Sequence, residues 1–294
     1  MSAERFDAHY HEIFGERWMS LRTALLSVQV RIARLNAFHP ASRDALPHAA
    51  QPIPELPSCF RVSELKPPDG PPPLAYYPMD AASVCAANAL EVESGDRVLD
   101  ACAAPGGKSL ILAEGLGSDG TMVCNDSSSS RRARLRSVLE LYLPAERRQQ
   151  IRVTAYDGSR FGLHQPGHYD RVLVDVPCSS ESHVLATPAA LKAWTPARPR
   201  QLAIRQGALL ASAIDATVSG GRVVYSTCAL DPRENDGVVA KIAKKRRDVA
   251  QVVVPRSALG VRTEFGQQIL PDQDGFGPIY FAVFEKRATS QNAP

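Results

Sequence analysis

The six cysteines, Cys59, Cys85, Cys102, Cys124, Cys178 and Cys228, include no Cys-x-x-Cys pair, so the spacing expected of a zinc site is missing. No apolar stretch is long enough to span a bilayer, because Asp215 interrupts the longest apolar helix, and nothing resembles a secretory signal. The opening residues carry Glu4 and Asp7, unlike a transit peptide, although a removed presequence would leave no trace. These absences lead to the expectation of a soluble protein kept where thiols stay reduced. Excess charge is also small. The net charge is +3 over 294 residues, which permits nucleic-acid binding without requiring it. No G-x-G-x-x-G occurs, and a Walker loop would need glycine at position 102, where Cys102 stands. Repeats and low-complexity tracts are lacking too, apart from the short run Ser127–Ser130.

What is present centres on RVLDACAAPGGK at 97–108. Val98 and Leu99 read as a short buried strand closed by Asp100, and Pro105-Gly106-Gly107 turn the chain into a helix starting near Lys108. Such a turn lets backbone approach a nucleotide-like ligand and offers it the free N–H groups of a helix N-terminus. Further strands are expected near 121–125, 151–155, 171–175 and 221–225, with a last one at 278–285. Helices are expected near 107–116, 129–143, 199–218 and 234–245. This alternation predicts an α/β fold, a largely parallel sheet covered by helices on both faces.

Ahead of it, Phe6, Tyr10, Phe14, Trp18, Leu21, Leu25 and Val28 recur at helical spacing, predicting helices over 5–38 with a break at Gly15. Residues 40–75 are rich in proline and read as an extended connector, and 78–91 as a helix leading into the first strand. The expected domains are therefore 1–75, a helical segment with its connector, and 76–294, the catalytic domain. The cluster Arg131, Arg132, Arg134 and Arg136 reads as a solvated helix face, as does Lys241, Lys244, Lys245, Arg246 and Arg247.

In a doubly wound sheet ligands sit at the carboxyl ends of strands. Asp126 follows the second strand, where an acid can accept ribose hydroxyls; Asp157-Gly158 follows the third, where an adenine can be met. Asp175-Val176-Pro177-Cys178 follows the fourth and Ser226-Thr227-Cys228 the fifth. A lone Asp at a strand end is often only a helix cap, and two thiols there can be plain core residues or a disulfide. A chemical task also exists for them. Carbon 5 of cytosine is a poor nucleophile until a thiolate adds to carbon 6, and an acid beside ring nitrogen 3, suited to Asp175, then absorbs the charge.

The pieces LDACAAPGGKS, NDSSSSR, the Asp157-Gly158 pair, DVPCSS, YSTCALDPREND and GFGPIYFA span 99–282 in one order. In these the chain resembles the Nol/Nop/Sun family of S-adenosylmethionine-dependent RNA cytosine-5 methyltransferases, and its N-terminal FDAHYHEIFGERWMSLRTALL is similar to the mitochondrial ribosomal-RNA branch. The resemblance implies a Rossmann-like class I methyltransferase with a mixed seven-stranded sheet. It implies Cys228 as the nucleophile, Cys178 as the cysteine that helps release product, and Asp175 as the acid at the cytosine. It implies S-adenosyl-L-methionine held by Ala104, Pro105, Gly106, Gly107, Lys108, Ser109, Asp126, Arg131, Asp157, Gly158 and Asp175.

No RNA-binding module such as a PUA domain is present, although Lys192, Arg198 and Arg200 can contact phosphates and Trp194 can stack on a base. The resemblance therefore implies ribosomal RNA as substrate within a pre-ribosomal subunit, in mitochondria. It also implies a helical-repeat partner of the mitochondrial transcription-termination-factor type, docked on the aromatic N-terminal helices or the tail. The alternatives are a ribosome-assembly scaffold with dispensable methylation, a tRNA cytosine-5 methyltransferase and, last, a small-molecule methyltransferase.

Overall fold

The structure, a computed structural model, describes residues 2–27, 32–63, 68–246, 250–253, 257 and 259–287. Val28 of the aromatic stripe and Arg247 of the second basic cluster lie outside them.

The chain opens with helices α1 (Ser2–Phe14) and α2 (Arg17–Leu26), separated at Gly15, whose φ of +59° suits glycine. The expected continuation of helix to residue 38 is not found. Residues Ile32–Leu35 form strand β1, which pairs antiparallel with β3 (Leu56–Arg61) and β4 (Tyr76–Met79). With β2 (Gln51–Ile53) they make a four-stranded sheet in the order β2-β3-β1-β4. The proline-rich stretch is therefore no extended connector. Its prolines sit where a sheet tolerates them: Pro52 at a bulge in edge strand β2, Pro78 in edge strand β4. The expected helix over 78–91 begins later, as α3 (Ala81–Asn88), because Asp80 caps it by accepting from the Ala82 amide at 2.8 Å.

The α/β part follows the expected order. It runs β5 (Arg97–Asp100), α4 (Gly107–Gly115), β6 (Thr121–Asn125), α5 (Ser129–Tyr142), α6 (Ala145–Gln149), β7 (Ile151–Thr154), α7 (Phe161–His164) and β8 (Tyr169–Asp175). Short helices α8 (Glu181–Ala186) and α9 (Pro188–Ala193) lead to α10 (Ala197–Ala216), β9 (Thr217–Thr227) and α11 (Asp236–Lys245). The end comprises β10 (Ala250–Val253), β11 (Val261–Arg262), β12 (Gln267–Ile269), α12 (Pro271–Asp274) and β13 (Ile279–Lys286).

The main sheet has the order β11-β12-β13-β9-β8-β5-β6-β7. Strands β7, β6, β5, β8 and β9 are parallel; β13 runs antiparallel beside β9. The sheet is thus mixed, as expected. Nine strands are found among the described residues rather than seven, because short β10 shares the outer edge of β13 with β12, and β11 extends β12. The chain steps outward from β5 to β6 and β7, then returns to β8 on the other side, so the topological switch lies between β5 and β8.

Alternate residues of each central strand feed two cores. Val98, Leu173 and Val224 join α3, α4 and α5 on one face, while Leu99, Val172, Val174 and Val223 join α10 and α11 on the other. Burial on both faces explains why these strands read as unbroken apolar runs.

The N-terminal helices have their own cluster: Phe6, Tyr10, Trp18, Leu21 and Leu25 pack on Val184, Leu185, Trp194, Leu230 and Leu270. Two sequence expectations fall here. Trp194 is 2% exposed and touches Phe6, so it offers no face to a base. The aromatic stripe and the tail aromatics Phe276, Tyr280 and Phe281 are buried in the chain's own core, so neither is an open docking surface. Lys192, Arg198 and Arg200 remain exposed. Among the described residues no helix is long and apolar enough to cross a membrane.

Candidate active site

Three adjoining cavities, about 560, 540 and 430 Å³, open at the carboxyl ends of β5, β6, β8 and β9. They share walls. Asp80, Ala104, Lys108 and Asp175 belong to the first and third, Cys102 to the first and second, and Arg131 and Pro177 to the second and third. Together they form one branched cleft at the switch point.

The loop after β5 builds the centre. Gly106 caps α4 with φ of +120°, and a side chain there would press on Val138 of α5 at 3.0 Å. A Cβ on Gly107 would stand 2.7 Å from the Tyr77 ring. Ala104, Pro105, Gly107 and Lys108 line the first cavity, whereas Gly106 and Ser109 do not. Ser109 faces inward and donates to Asp100 Oδ2 at 2.7 Å, so its contribution is to hold that acid. Asp100, 1% exposed, lines the first cavity, and its buried Oδ1 has no hydrogen-bond partner. Burial pushes the Asp100 carboxyl up to about 7, against the Ser109 hydrogen bond.

Asp126, Arg131, Asp157 and Gly158 meet in the second cavity. Asp126 Oδ1 accepts from the Ser128 amide at 2.9 Å, as a turn-forming Asp does. Its Oδ2 is buried without a hydrogen bond, since Arg131 Nη1 stands 3.2 Å away but outside bonding geometry. Arg131 Nη2 donates to the Ala104 carbonyl, tying α5 to the loop after β5. Asp157 accepts from the Ser159 amide at 3.0 Å and the Ser159 hydroxyl at 2.8 Å, which holds its carboxyl below the usual range. Leu209 and Tyr156 supply apolar walls.

The third cavity holds the cysteines. Cys178 lies just past β8 and Cys228 just past β9; these strands are parallel neighbours, and the two sulfurs are 3.0 Å apart, both reduced. Either sulfur can be the donor in this contact; it lowers Cys228 against the effect of burial and, together with burial, raises Cys178 well above a normal thiol. Beside them Asp175 Oδ2 accepts from Lys108 Nζ at 2.8 Å and Oδ1 from the Ser226 hydroxyl at 2.8 Å. Burial works against the Lys108 charge, but Asp175 outweighs it and raises Lys108. Cys59, Cys85 and Cys102 are pushed up to about 12, 11 and 12, mainly by burial, which fits inert thiols. Cys102 lines the cleft as well.

Several lining residues escaped the sequence reading. Asp80 borders two of the cavities and accepts from the Gly277 amide at 3.1 Å. Its capping role is legible before an alanine-rich helix; its place at the cleft depends on a loop far along the chain. Arg134, read as solvated, borders the first cavity. Ser180 borders the third with φ of +53°, a conformation rare outside glycine that no local pattern announces.

The arrangement fits a nucleoside cofactor carrying a cationic group. Asp126 Oδ2, paired with Arg131 by charge but without a hydrogen bond, can accept from a ribose hydroxyl, the Tyr156–Leu209 walls suit a flat base, and Asp100, whose Oδ1 has no hydrogen bond, suits a positive centre.

A family model described as 16S rRNA methyltransferase RsmB/F matches residues 87–285. The chain is 32% identical to the 5-cytosine rRNA methyltransferase NSUN4 of Mus musculus, covering 97% of this chain and 88% of that one. It is 36% identical to NSUN4 of Bos taurus, over 96% and 87% of the two chains. The mitochondrial tRNA (cytosine(34)-C(5))-methyltransferase of Mus musculus is 29% identical, over 96% and 89%. Among solved structures, NSun6 from Pyrococcus horikoshii with SFG superposes with a TM-score of 0.76 at 18% identity, over 96% of this chain and 97% of that one. A methyltransferase homolog protein from the same organism superposes with a TM-score of 0.74 at 22% identity, over 94% and 93%. The fold is thus the Rossmann-like methyltransferase fold, the cofactor is S-adenosyl-L-methionine, and the chain belongs to the RsmB/F family of RNA methyltransferases.

Proposed function

We propose that the chain methylates carbon 5 of a cytosine in ribosomal RNA, with Cys228 as nucleophile. The observation that carries the reading is the pair of reduced thiols 3.0 Å apart, one biased toward thiolate, beside a Lys108–Asp175 ion pair. S-adenosylmethionine supplies a methyl group on a sulfonium. Ala104, Pro105, Gly107, Lys108, Asp126, Arg131, Asp157, Gly158 and Asp175 hold it, with Gly106 and Ser109 shaping the loop behind.

Cys228 Sγ adds to carbon 6 of the ring, and the electron pair displaced toward nitrogen 3 takes a proton from the Lys108–Asp175 pair. Carbon 5 then attacks the methyl group and loses its own proton to a base. Elimination of Cys228, with return of the nitrogen 3 proton to the Lys108–Asp175 pair, restores the ring, and Cys178 is within reach to assist that release. Asp175, held by Lys108 and Ser226, contacts the cytosine and passes on the Lys108 proton.

The NSUN4 relatives favour ribosomal RNA; the mitochondrial tRNA methyltransferase relative supports a mitochondrial setting and keeps tRNA as the second reading. A helical-repeat partner of the transcription-termination-factor type stays part of the proposal, motivated by the small net charge. Its seat has to be sought on surfaces other than the buried aromatic face of α1 and α2.

The test is covalent trapping with S-adenosylmethionine and ribosomal or transfer RNA fragments carrying 5-azacytidine. Wild type is expected to form a protein–RNA adduct, Cys228→Ala none, and Cys178→Ala an adduct that persists. With cofactor bound and the partner added, no adduct on any RNA would transfer the proposal to an assembly scaffold; an adduct on tRNA alone would select the second reading.

A further inference from the structure

Behind the two cysteines lies a buried pair of carboxyl groups that the reaction scheme leaves unused. Glu181 opens α8 at the end of the Cys178 loop, and Glu234 follows Cys228 in the other loop. Each reaches across. Glu181 Oε2 accepts from the Leu230 amide at 2.9 Å, in the Cys228 loop. Glu234 Oε2 accepts from the Ser179 amide at 3.0 Å, in the Cys178 loop. The crossing is braced from outside. Tyr10 of α1 donates to Glu181 Oε1 at 2.5 Å, and the Ser179 hydroxyl donates to the same oxygen. Gln206 of α10 donates to Glu234 at 2.6 Å and to the Pro177 carbonyl at 3.0 Å.

Both glutamates are fully buried, and no cation is among these hydrogen-bond partners. Joining two loops would not need carboxyl groups, because buried charge is costly and apolar packing serves as well. Their placement gives them another use. Each carboxyl spends an acceptor oxygen on the loop that carries the other cysteine, so the pair sets how closely the two sulfurs approach. Burial, with Glu181 close by, also pushes Glu234 up to about 7, so the pair is reluctant to carry two charges.

We propose that Glu181 and Glu234 are positioning residues for the methylation: crossing between the loops, they fix the approach of the two sulfurs, so that Cys228 is held ready to attack. Tyr10 is the outer strut of this clasp, which makes α1 part of the active-site scaffold. The proposal rests on the reading of Cys228 as nucleophile.

The test compares full-length wild type with Glu181→Gln, Glu234→Gln, Glu234→Ala and Tyr10→Phe. Iodoacetamide labelling of Cys178 and Cys228, read by peptide mass spectrometry without RNA, reports which sulfur is the thiolate. Calorimetry reports S-adenosylmethionine binding, and methyl transfer gives kcat and KM. In Glu181→Gln and Glu234→Ala the preference for Cys228 is expected to fall about tenfold, and kcat with it, while cofactor affinity and KM stay within about twofold. Glu234→Gln, whose amide oxygen still accepts from Ser179, is expected to recover most of the loss.

Wild-type labelling preference and kcat in both Glu181→Gln and Glu234→Ala would overturn the clasp. Should those variants lose cofactor binding, Tyr10→Phe decides, since it removes one hydroxyl and keeps the ring: a shifted preference supports the clasp, an unchanged one sinks it. Wild type that labels at Cys228 first yet traps no RNA would mean that the cytosine reading fails while the clasp stands.

Discussion

Asp100 shows how one residue serves the fold and the site with opposite preferences. Its carboxyl is buried, holds the Ser109 hydroxyl at 2.7 Å and is pushed up to about 7. The folded chain therefore binds a proton that the unfolded chain releases near the ordinary value of 3.8. The stabilisation is full below that value and is lost as pH rises through about 7. Glu234, also raised to about 7, adds the same sign. Without cofactor, Asp100→Asn is expected to reduce the fall in melting temperature between pH 5 and pH 8 by several degrees. Equal pH slopes in variant and wild type would refute the assignment. The residue was legible as a strand end. Its missing hydrogen bond was not, because that depends on which atoms of α4 and the neighbouring strands surround it.

At the scale of elements, α1 is the instructive case. Helical spacing of Phe6, Tyr10 and Trp18 announces an apolar face, and the helix forms as expected. Periodicity does not name what covers that face. Here α8, α9 and the loop after β9 do so, with the Phe6 ring 4.6 Å from Tyr10 and 4.9 Å from Trp194. Phe6→Ala is expected to cost about 3–5 kcal/mol, read as a lower denaturation midpoint. It should also shift cysteine labelling, since Tyr10 leans on the same cluster. No loss of stability would mean that the face is not a core. The same limit explains β1 to β4. Proline-rich sequence reads as connector because propensity scales penalise it, whereas an edge strand has open N–H positions where proline costs nothing.

At the scale of the molecule, the core crosses residue 75 without interruption. Ile32, Ile53, Leu56 and Leu74 pack with α3 and α4, Arg34 binds Glu114 through two bonds of 2.8 and 2.6 Å, and Asn36 donates to the Leu74 and Tyr142 carbonyls. A truncated chain of residues 76–294 is therefore expected to lose cooperative melting and cofactor binding, measured by calorimetry. A truncated chain that melts in one sharp transition and binds S-adenosylmethionine would show that the division at residue 75 is a true domain boundary.

Local sequence by itself determined the alternation of strands and helices, the glycine turn after β5 and the residue types at the strand ends, including Cys178, Cys228, Asp126 and Asp157. These depend on periodicity, turn chemistry and strand-end position, all properties of neighbours along the chain. Tertiary structure alone decided the 3.0 Å approach of sulfurs fifty residues apart, the Lys108–Asp175 pair and the contact of Tyr10 with Glu181 across 171 residues. Contacts of that kind are set by how the sheet orders its strands and what packs on them, and no local preference carries that information.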